Sequence, residues 1–358
     1  MIGGSVRGAS HARTGLPNQD ALGWLQKAGS GRLLIVAASD GHGSAKYFRS
    51  HVGSRLAVEA AIALAQEFLN GQPDLKNLSA IKRTAEERLP QELSRRWKEA
   101  VEAHIGSNPI TVEELDALEK SDGVNARETI SSKPTHAYGA TILTVLVEES
   151  FILYLQLGDG DILLVSDGGG VERPLPRDER LFANETTSLS SQSAWSDFRF
   201  GFQTLVGPPP ALILLSTDGY ANSFVNEDAF LKVGTDLLEM IRADGLDKVS
   251  DSLEAWLTEA SASGSGDDIT LALICRTGAL KSPDEDLPVN ENSTVNASPP
   301  VDESLPVEQG SSAGGEATAG TEKEATEAAG DESIKPAQPP AESSPAEQQA
   351  IAPEEEKQ

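Results

Sequence analysis

One cysteine, Cys275, stands in 358 residues. That excludes an internal disulfide framework and any multi-cysteine metal site. Its place in an apolar run, Ile269–Cys275, fits a buried core thiol. Basic residues are also scarce, with 29 Lys and Arg against 56 Asp and Glu and a formal net charge of −27. Nucleic acid and anionic membranes select for basic patches, so neither is an expected partner. No run of about 18 apolar residues occurs, so no membrane span is expected. The first residues lack a basic segment followed by an apolar one, and a cytoplasmic protein is expected.

Aromatic residues are few, and beyond residue 278 there are none. The stretch 281–358 carries 18 Asp and Glu against 4 Lys, a net of −14. Rich in Pro, Ala, Glu, Ser and Thr, it cannot bury enough apolar surface to offset its ordering entropy. The expectation is two regions: a folded domain over 1–278 and a disordered acidic tail over 279–358. The tail reads first as a solvating extension, with docking of a basic partner as the alternative. The body is acidic as well, which suits a divalent cation better than a polyanion.

What is present is an alternation of apolar strands and amphipathic helices. Residues 33–38 read as a buried strand. A helix is expected over 44–69, with Phe48, Val52, Leu56 and Ala60 at four-residue spacing lining one face. A second, over 78–105, carries Ile81, Ala85, Leu89, Leu93, Trp97, Val101 and Ile105 at the same spacing. Pro90 is expected to kink or split it. Residues 121–136 read as a polar loop. Strands follow at 140–147, 151–157 and 162–165, with connections short enough for two antiparallel hairpins. Residues 167–209 read as a long irregular flap. A strand at 212–216, helices at 227–241 and 246–260, and a closing strand at Ile269–Cys275 complete an α+β pattern.

The aspartates fall at strand ends. Three strands run into Asp-Gly, at Asp40-Gly41, Asp159-Gly160 and Asp218-Gly219. Two more begin just after aspartate, at Asp20 and at Asp267-Asp268. A carboxylate at a buried strand end faces a desolvation cost unless it is paired. Several converging would need a cation, and oxygen ligands suit Mg²⁺ or Mn²⁺. Singly, each Asp-Gly is an ordinary turn.

In this order the blocks resemble the type-2C metal-dependent (PPM-type) protein Ser/Thr phosphatases, bacterial members most of all. Four blocks carry the resemblance: Pro17-Asn18-Gln19-Asp20-Ala21, Ser39-Asp40-Gly41-His42-Gly43, Ser216-Thr217-Asp218-Gly219 and Gly266-Asp267-Asp268-Ile269-Thr270. Tyr138-Gly139-Ala140-Thr141 and Leu157-Gly158-Asp159-Gly160 resemble the intervening strand pair. The resemblance implies an αββα four-layer sandwich, two antiparallel sheets flanked by helices. It implies two Mn²⁺ or Mg²⁺ ions, with a third, weaker one near Asp159. Asp40 would bridge both metals, Gly41 would offer its carbonyl to one, Asp218 and Asp267 would hold the other, and Asp20 would act directly or through bound water. His42 would be the general acid, its ordinary pKa near neutrality suiting the role. Arg13 stands somewhat further from Asp20 than the family's phosphate-binding arginine usually does. It is the expected substrate contact, with a plain surface arginine as the alternative.

The sequence departs from the family pattern at several points. Gln19 stands where many relatives have Glu, Asn222 where many have Asp, Asp161 where Arg is common, and Asp268 where Asn is usual. Asp268 competes with Asp267 as ligand, and Asp267 is preferred from the alignment of Ile269-Thr270. His11 reads as a loop histidine bonded to backbone, with catalysis as the alternative. The function implied is hydrolysis of phosphoserine and phosphothreonine by metal-activated water. Expected partners are phosphorylated proteins, including a cognate Ser/Thr kinase or its substrates, with the enzyme a monomer. The rivals are a pseudophosphatase that binds phosphoproteins without chemistry and a phosphatase of small metabolites.

Overall fold

The computed structural model describes residues 1–26, 33–72, 74–178 and 186–280. Contacts divide the chain after Asn290, and every described residue lies in the first unit. The expected tail lies outside the described residues from 281 onward.

The elements run β1 (Ile2–Val6), α1 (Ala9–Thr14), β2 (Ala21–Gln26), β3 (Leu34–Ser39), α2 (Ser50–Asn70), α3 (Leu78–Ser107), α4 (Val112–Asp122) and α5 (Val124–Ser132). Then come β4 (Ile142–Val147), β5 (Phe151–Leu157), β6 (Asp161–Val165), β7 (Val171–Glu172), β8 (Arg199–Thr204) and β9 (Leu212–Ser216). The last are α6 (Asp218–Ala221), α7 (Glu227–Asp244), α8 (Leu246–Ser263) and β10 (Ile269–Cys275). They build two five-stranded sheets, ordered β1-β10-β9-β6-β7 and β2-β3-β4-β5-β8, with antiparallel pairing throughout.

Side chains alternate across each strand, and here both faces are covered. In β9, Ile213 and Leu215 meet Val36, Leu143 and Tyr154 of the other sheet. Leu212 and Leu214 face Phe230, Leu237 and Leu253 of α7 and α8. In β4, Val145 joins the layer between the sheets, while Ile142 and Leu146 pack with α2 and α3. Two covered faces explain why the strands read as continuous apolar runs. The result is the expected αββα sandwich.

Several local expectations are corrected. Residues 121–136 are not a loop: α4 ends and α5 follows, and Thr111 and Glu114 close a capping box at the start of α4. Pro90 does not split α3, which runs 30 residues through it. Leu89, Pro90 and Leu93 are buried, and packing outweighs the one backbone hydrogen bond that proline forfeits. In α2 the fully buried residues include Gly53, Ser54, Ala57, Val58, Ala61, Leu64 and Ala65, while Val52, Leu56 and Ala60, with Phe48 just before the helix, pack partly buried against the same core. The small residues let α2 lie close on the sheet, a packing demand that hydrophobic spacing alone does not reveal. β5 and β6 are not a hairpin, because the turn between them carries the chain from one sheet to the other. Gly158 makes that crossing at φ 105°, a conformation that side-chain-bearing residues avoid. Within the flap, β7 and β8 each extend a sheet edge.

Candidate metal and catalytic site

The sheet registers bring the aspartates to one rim. Ala21 pairs with Ser39, so Asp20 and Asp40 leave neighbouring strands at the same end. Gly41 bridges Ala140, and Ile142 pairs with Leu157, which places the Asp159 turn on that rim as well. In the other sheet Ser216 pairs with both Leu271 and Asp161, so Asp218 and Asp267 emerge there too.

The loop after β3 is tied down by backbone. Thr141 N–H donates to the Asp40 carbonyl (2.8 Å), and Asp40 N–H donates to Thr141 Oγ1 (3.0 Å). His42 N–H donates to the Gly139 carbonyl at 3.1 Å. A Cβ on Gly41 would sit 2.6 Å from the Gln19 carbonyl, so only glycine fits between these two loops.

The carboxyl groups repel one another in a dry setting. Burial, then Asp20, Asp218, Asp159 and Asp267 in turn, push Asp40 well above the usual carboxylate range. Burial raises Asp20 to about 8, against hydrogen bonds from Thr217 and Thr270. Asp218 rises to about 7 through burial and the charges of Asp159 and Asp267. Asp159 and Asp267 are raised as well, burial leading in both. Thr217 donates to Asp20 Oδ2 at 2.7 Å, while Asp20 Oδ1 and Asp159 Oδ1 are buried with no hydrogen-bond partner among the described residues. Orphaned buried oxygens in a mutually repelling set are what a divalent cation satisfies, so the donor set fits the ions expected.

A profile of the family described as protein phosphatase 2C matches residues 7–258. The chain belongs to the protein phosphatase 2C family. No curated protein matches it. Among solved structures it is similar to the serine/threonine phosphatase Stp1 from Staphylococcus aureus, at 13% identity and TM-score 0.48 over 77% of this chain and 95% of that one. It is also similar to the catalytic domain of the serine threonine protein phosphatase PstP in complex with 2 manganese ions. There the identity is 17% and the TM-score 0.44, over 76% of this chain and 95% of that one. The Mycobacterium tuberculosis serine/threonine phosphatase PstP/Ppp is 16% identical over the same shares, at TM-score 0.44.

Other residues of this protein phosphatase 2C domain sit as follows. His42 is buried and tilted against Tyr47, ring centroids 4.7 Å apart. Burial, with a lesser push from Lys46, lowers its pKa to about 4, not the near-neutral value expected from sequence. Arg13 lies exposed in the last turn of α1, and no contact joins it to the aspartates among the described residues. Asp267 and Asp268 face different surroundings. Asp268 is buried and accepts from Gly8 N–H (2.6 Å) and Gln19 N–H (2.5 Å). The Asp267 carboxyl is half exposed on the rim. His11 is not in a loop but in α1, beside both. Asn222 donates to Asp218 Oδ2 at 3.0 Å, and Gln19 Oε1 is a further buried orphan.

Spacing gave no sign of the arginines beside Asp159. A cavity of about 280 Å³ is lined there by Asp159, Asp161, Arg173, Arg177, Arg199 and Asn222. Arg173 follows β7 and donates through Nε to Asp161 Oδ1 at 2.5 Å. Where relatives often have arginine, Asp161 instead draws one in from the flap. Only an Arg after a strand absent from the sequence reading could have signalled this.

Proposed function

We propose that the chain is an active metal-dependent protein phosphatase acting on phosphoserine and phosphothreonine, with the cleft of residues 1–278 as its active site. The observation that carries this reading is the rim of five aspartates, from both sheets, all raised above the ordinary carboxylate range by burial and, for Asp20, Asp40 and Asp218, by one another's charge. Asp20, Asp40, the Gly41 carbonyl, Asp218 and Asp267 would hold two Mn²⁺ or Mg²⁺ ions, and Asp159 a third. Bound divalent ions supply charge neutralisation for the phosphoryl oxygens and a water of lowered pKa.

The chain's own groups do the rest. Thr217 fixes Asp20 through Oδ2, leaving the buried Oδ1 without a hydrogen-bond partner among the described residues. Asp268 clamps the loops carrying Gly8 and Gln19, which sets the position of Asp20. His42 is neutral as the site stands, and a phosphate dianion beside it would favour the imidazolium. It would therefore hold a proton for the leaving alkoxide only with substrate bound. Arg13 is the assigned substrate contact from α1. Phosphoproteins in the cytoplasm, with their kinase, are the partners this activity calls for.

The second reading is a phosphoprotein-binding module without chemistry. Its support is the amide of Asn222, which occupies Asp218 Oδ2, and the buried ring of His42. Hydrolysis of an aryl phosphate and of a phosphothreonine peptide with added Mn²⁺ separates the two. Turnover that falls about 100-fold or more in Asp40→Asn is the expected result, as for loss of a principal transition-state contact. Absence of turnover with any divalent ion, with Mn²⁺ still bound, would establish the module instead.

A further inference from the structure

The donors assigned above are all oxygens, yet one ring nitrogen is aimed at them. His11 is largely buried, its side chain 12% exposed. Its Nδ1 lies 2.9 Å from Asp268 Oδ2, off the line of a good hydrogen bond. Its Nε2 lies 3.9 Å from Asp267 Oδ1. The ligand-capable atoms of His11, Asp267 and Asp268 all fall within 4.8 Å of one another.

This placement is built into the fold. Ser10 N–H and Oγ both donate to the Gly266 carbonyl, at 2.8 and 2.7 Å. Ala9 N–H donates to Ser261 Oγ at 3.0 Å, and Ser261 Oγ donates to the Asp267 carbonyl at 2.8 Å. So α1 is bound to the loop that carries Asp267, and His11 rides with it. Asp268 is committed to two backbone amides and backs the ring from the Nδ1 side, which leaves Nε2 to face Asp267.

The distance discriminates between two explanations. A hydrogen bond from Nε2 to Asp267 would need roughly 2.7–3.2 Å. Two donors that each lie about 2.1 Å from one ion can be up to about 4.2 Å apart. At 3.9 Å the pair is wider than a hydrogen bond and within the span that two ligands of one ion can reach. A carboxylate also stands beside the other ring nitrogen, where metal-bound histidines usually have one. Independently, the orphaned Oδ1 of buried Asp20 points to a cation on the same rim.

We infer that His11, through Nε2, is a ligand to the ion held by Asp267. The inference rests on the reading of the aspartates as a divalent-ion centre. An imidazole ligand turns that position from Mg²⁺ toward first-row transition ions such as Mn²⁺, Co²⁺ or Zn²⁺.

The test is Mn²⁺ binding to the full chain, followed by titration and by pulsed electron paramagnetic resonance for nitrogen coupled to the bound ion. The wild type should show imidazole nitrogen coupling, His42→Gln should keep it and His11→Gln should lose it. Mn²⁺ affinity should fall by about 10-fold or more in His11→Gln, with Mg²⁺ affinity little changed. Melting in EDTA checks that the variant folds, and the wild-type spectrum decides on its own if it does not. Bound Mn²⁺ without nitrogen coupling, or coupling that survives His11→Gln, overturns the inference while leaving the metal centre standing. A wild type that binds no divalent ion overturns both.

Discussion

Asp267 and Asp268 show how neighbouring carboxylates take different work. Successive residues entering a strand point opposite ways. Asp268 turns inward to the Gly8 and Gln19 amides, and Asp267 stays on the rim. Removing the inner carboxyl leaves two buried donors without an acceptor. Asp268→Ala should therefore lose on the order of 3 kcal/mol in urea unfolding with EDTA present. Asp267→Asn should lose almost none under the same conditions, and should instead weaken Mn²⁺ binding. Equal losses would mean that both carboxyls serve the fold. Sequence left the choice between them to alignment, because adjacency alone does not say which residue faces in.

Among the elements, α4 is tied through Glu114 to the residues just before α2. Arg49 stands just before α2. Its guanidinium donates to both Glu114 oxygens (2.8 and 2.7 Å), the Asn108 and Pro109 carbonyls (2.6 and 3.0 Å) and Tyr138 Oη (2.7 Å). Arg49→Ala should lose about 3 kcal/mol by urea unfolding, since it strands Glu114, the buried Tyr138 hydroxyl and two partly buried carbonyls. Thr111→Ala, which removes only the helix cap, should lose about 1 kcal/mol. Gly158→Ala should lose about 2 kcal/mol, because the crossing turn needs φ 105° and a Cβ there meets Thr141 at 2.5 Å.

These elements mark the limit of legibility. The apolar strands were readable, since burial on both faces writes them as unbroken runs. The Thr111–Glu114 capping signal for α4 was present in sequence and is obscured by the polar face of a surface helix. The sheet change at Gly158 was not readable, because a short connection has the same length whether it turns back or crosses over. The rim aspartates were legible from their strand-end positions. Arg173 and the α1 placement of His11 depend on tertiary contacts that spacing does not encode.

At the scale of the molecule, the rim makes the metal-free fold sensitive to pH. Asp20 rises to about 8 and Asp218 to about 7 in the folded state, from an ordinary value of 3.8, and burial leads in both. A carboxyl whose folded pKa is raised stabilises the fold fully below its unfolded pKa, and that stability is lost as pH rises through the folded value. The groups interact, so they titrate as a set. In EDTA the domain should be more stable at pH 5 than at pH 8, by several kcal/mol if the shifts act together. Asp40→Asn should flatten that slope. No described helix is long and apolar enough to cross a membrane.

The central claim is that this acidic rim is a divalent-ion centre, and the urea midpoint at pH 8 with and without Mn²⁺ tests it most directly. The wild-type midpoint should rise with Mn²⁺, by about 2.7 kcal/mol per ion at a hundredfold excess over Kd, and Asp40→Asn should lose most of the rise. A midpoint that Mn²⁺ leaves unchanged, or raises equally in Asp40→Asn, would contradict the account.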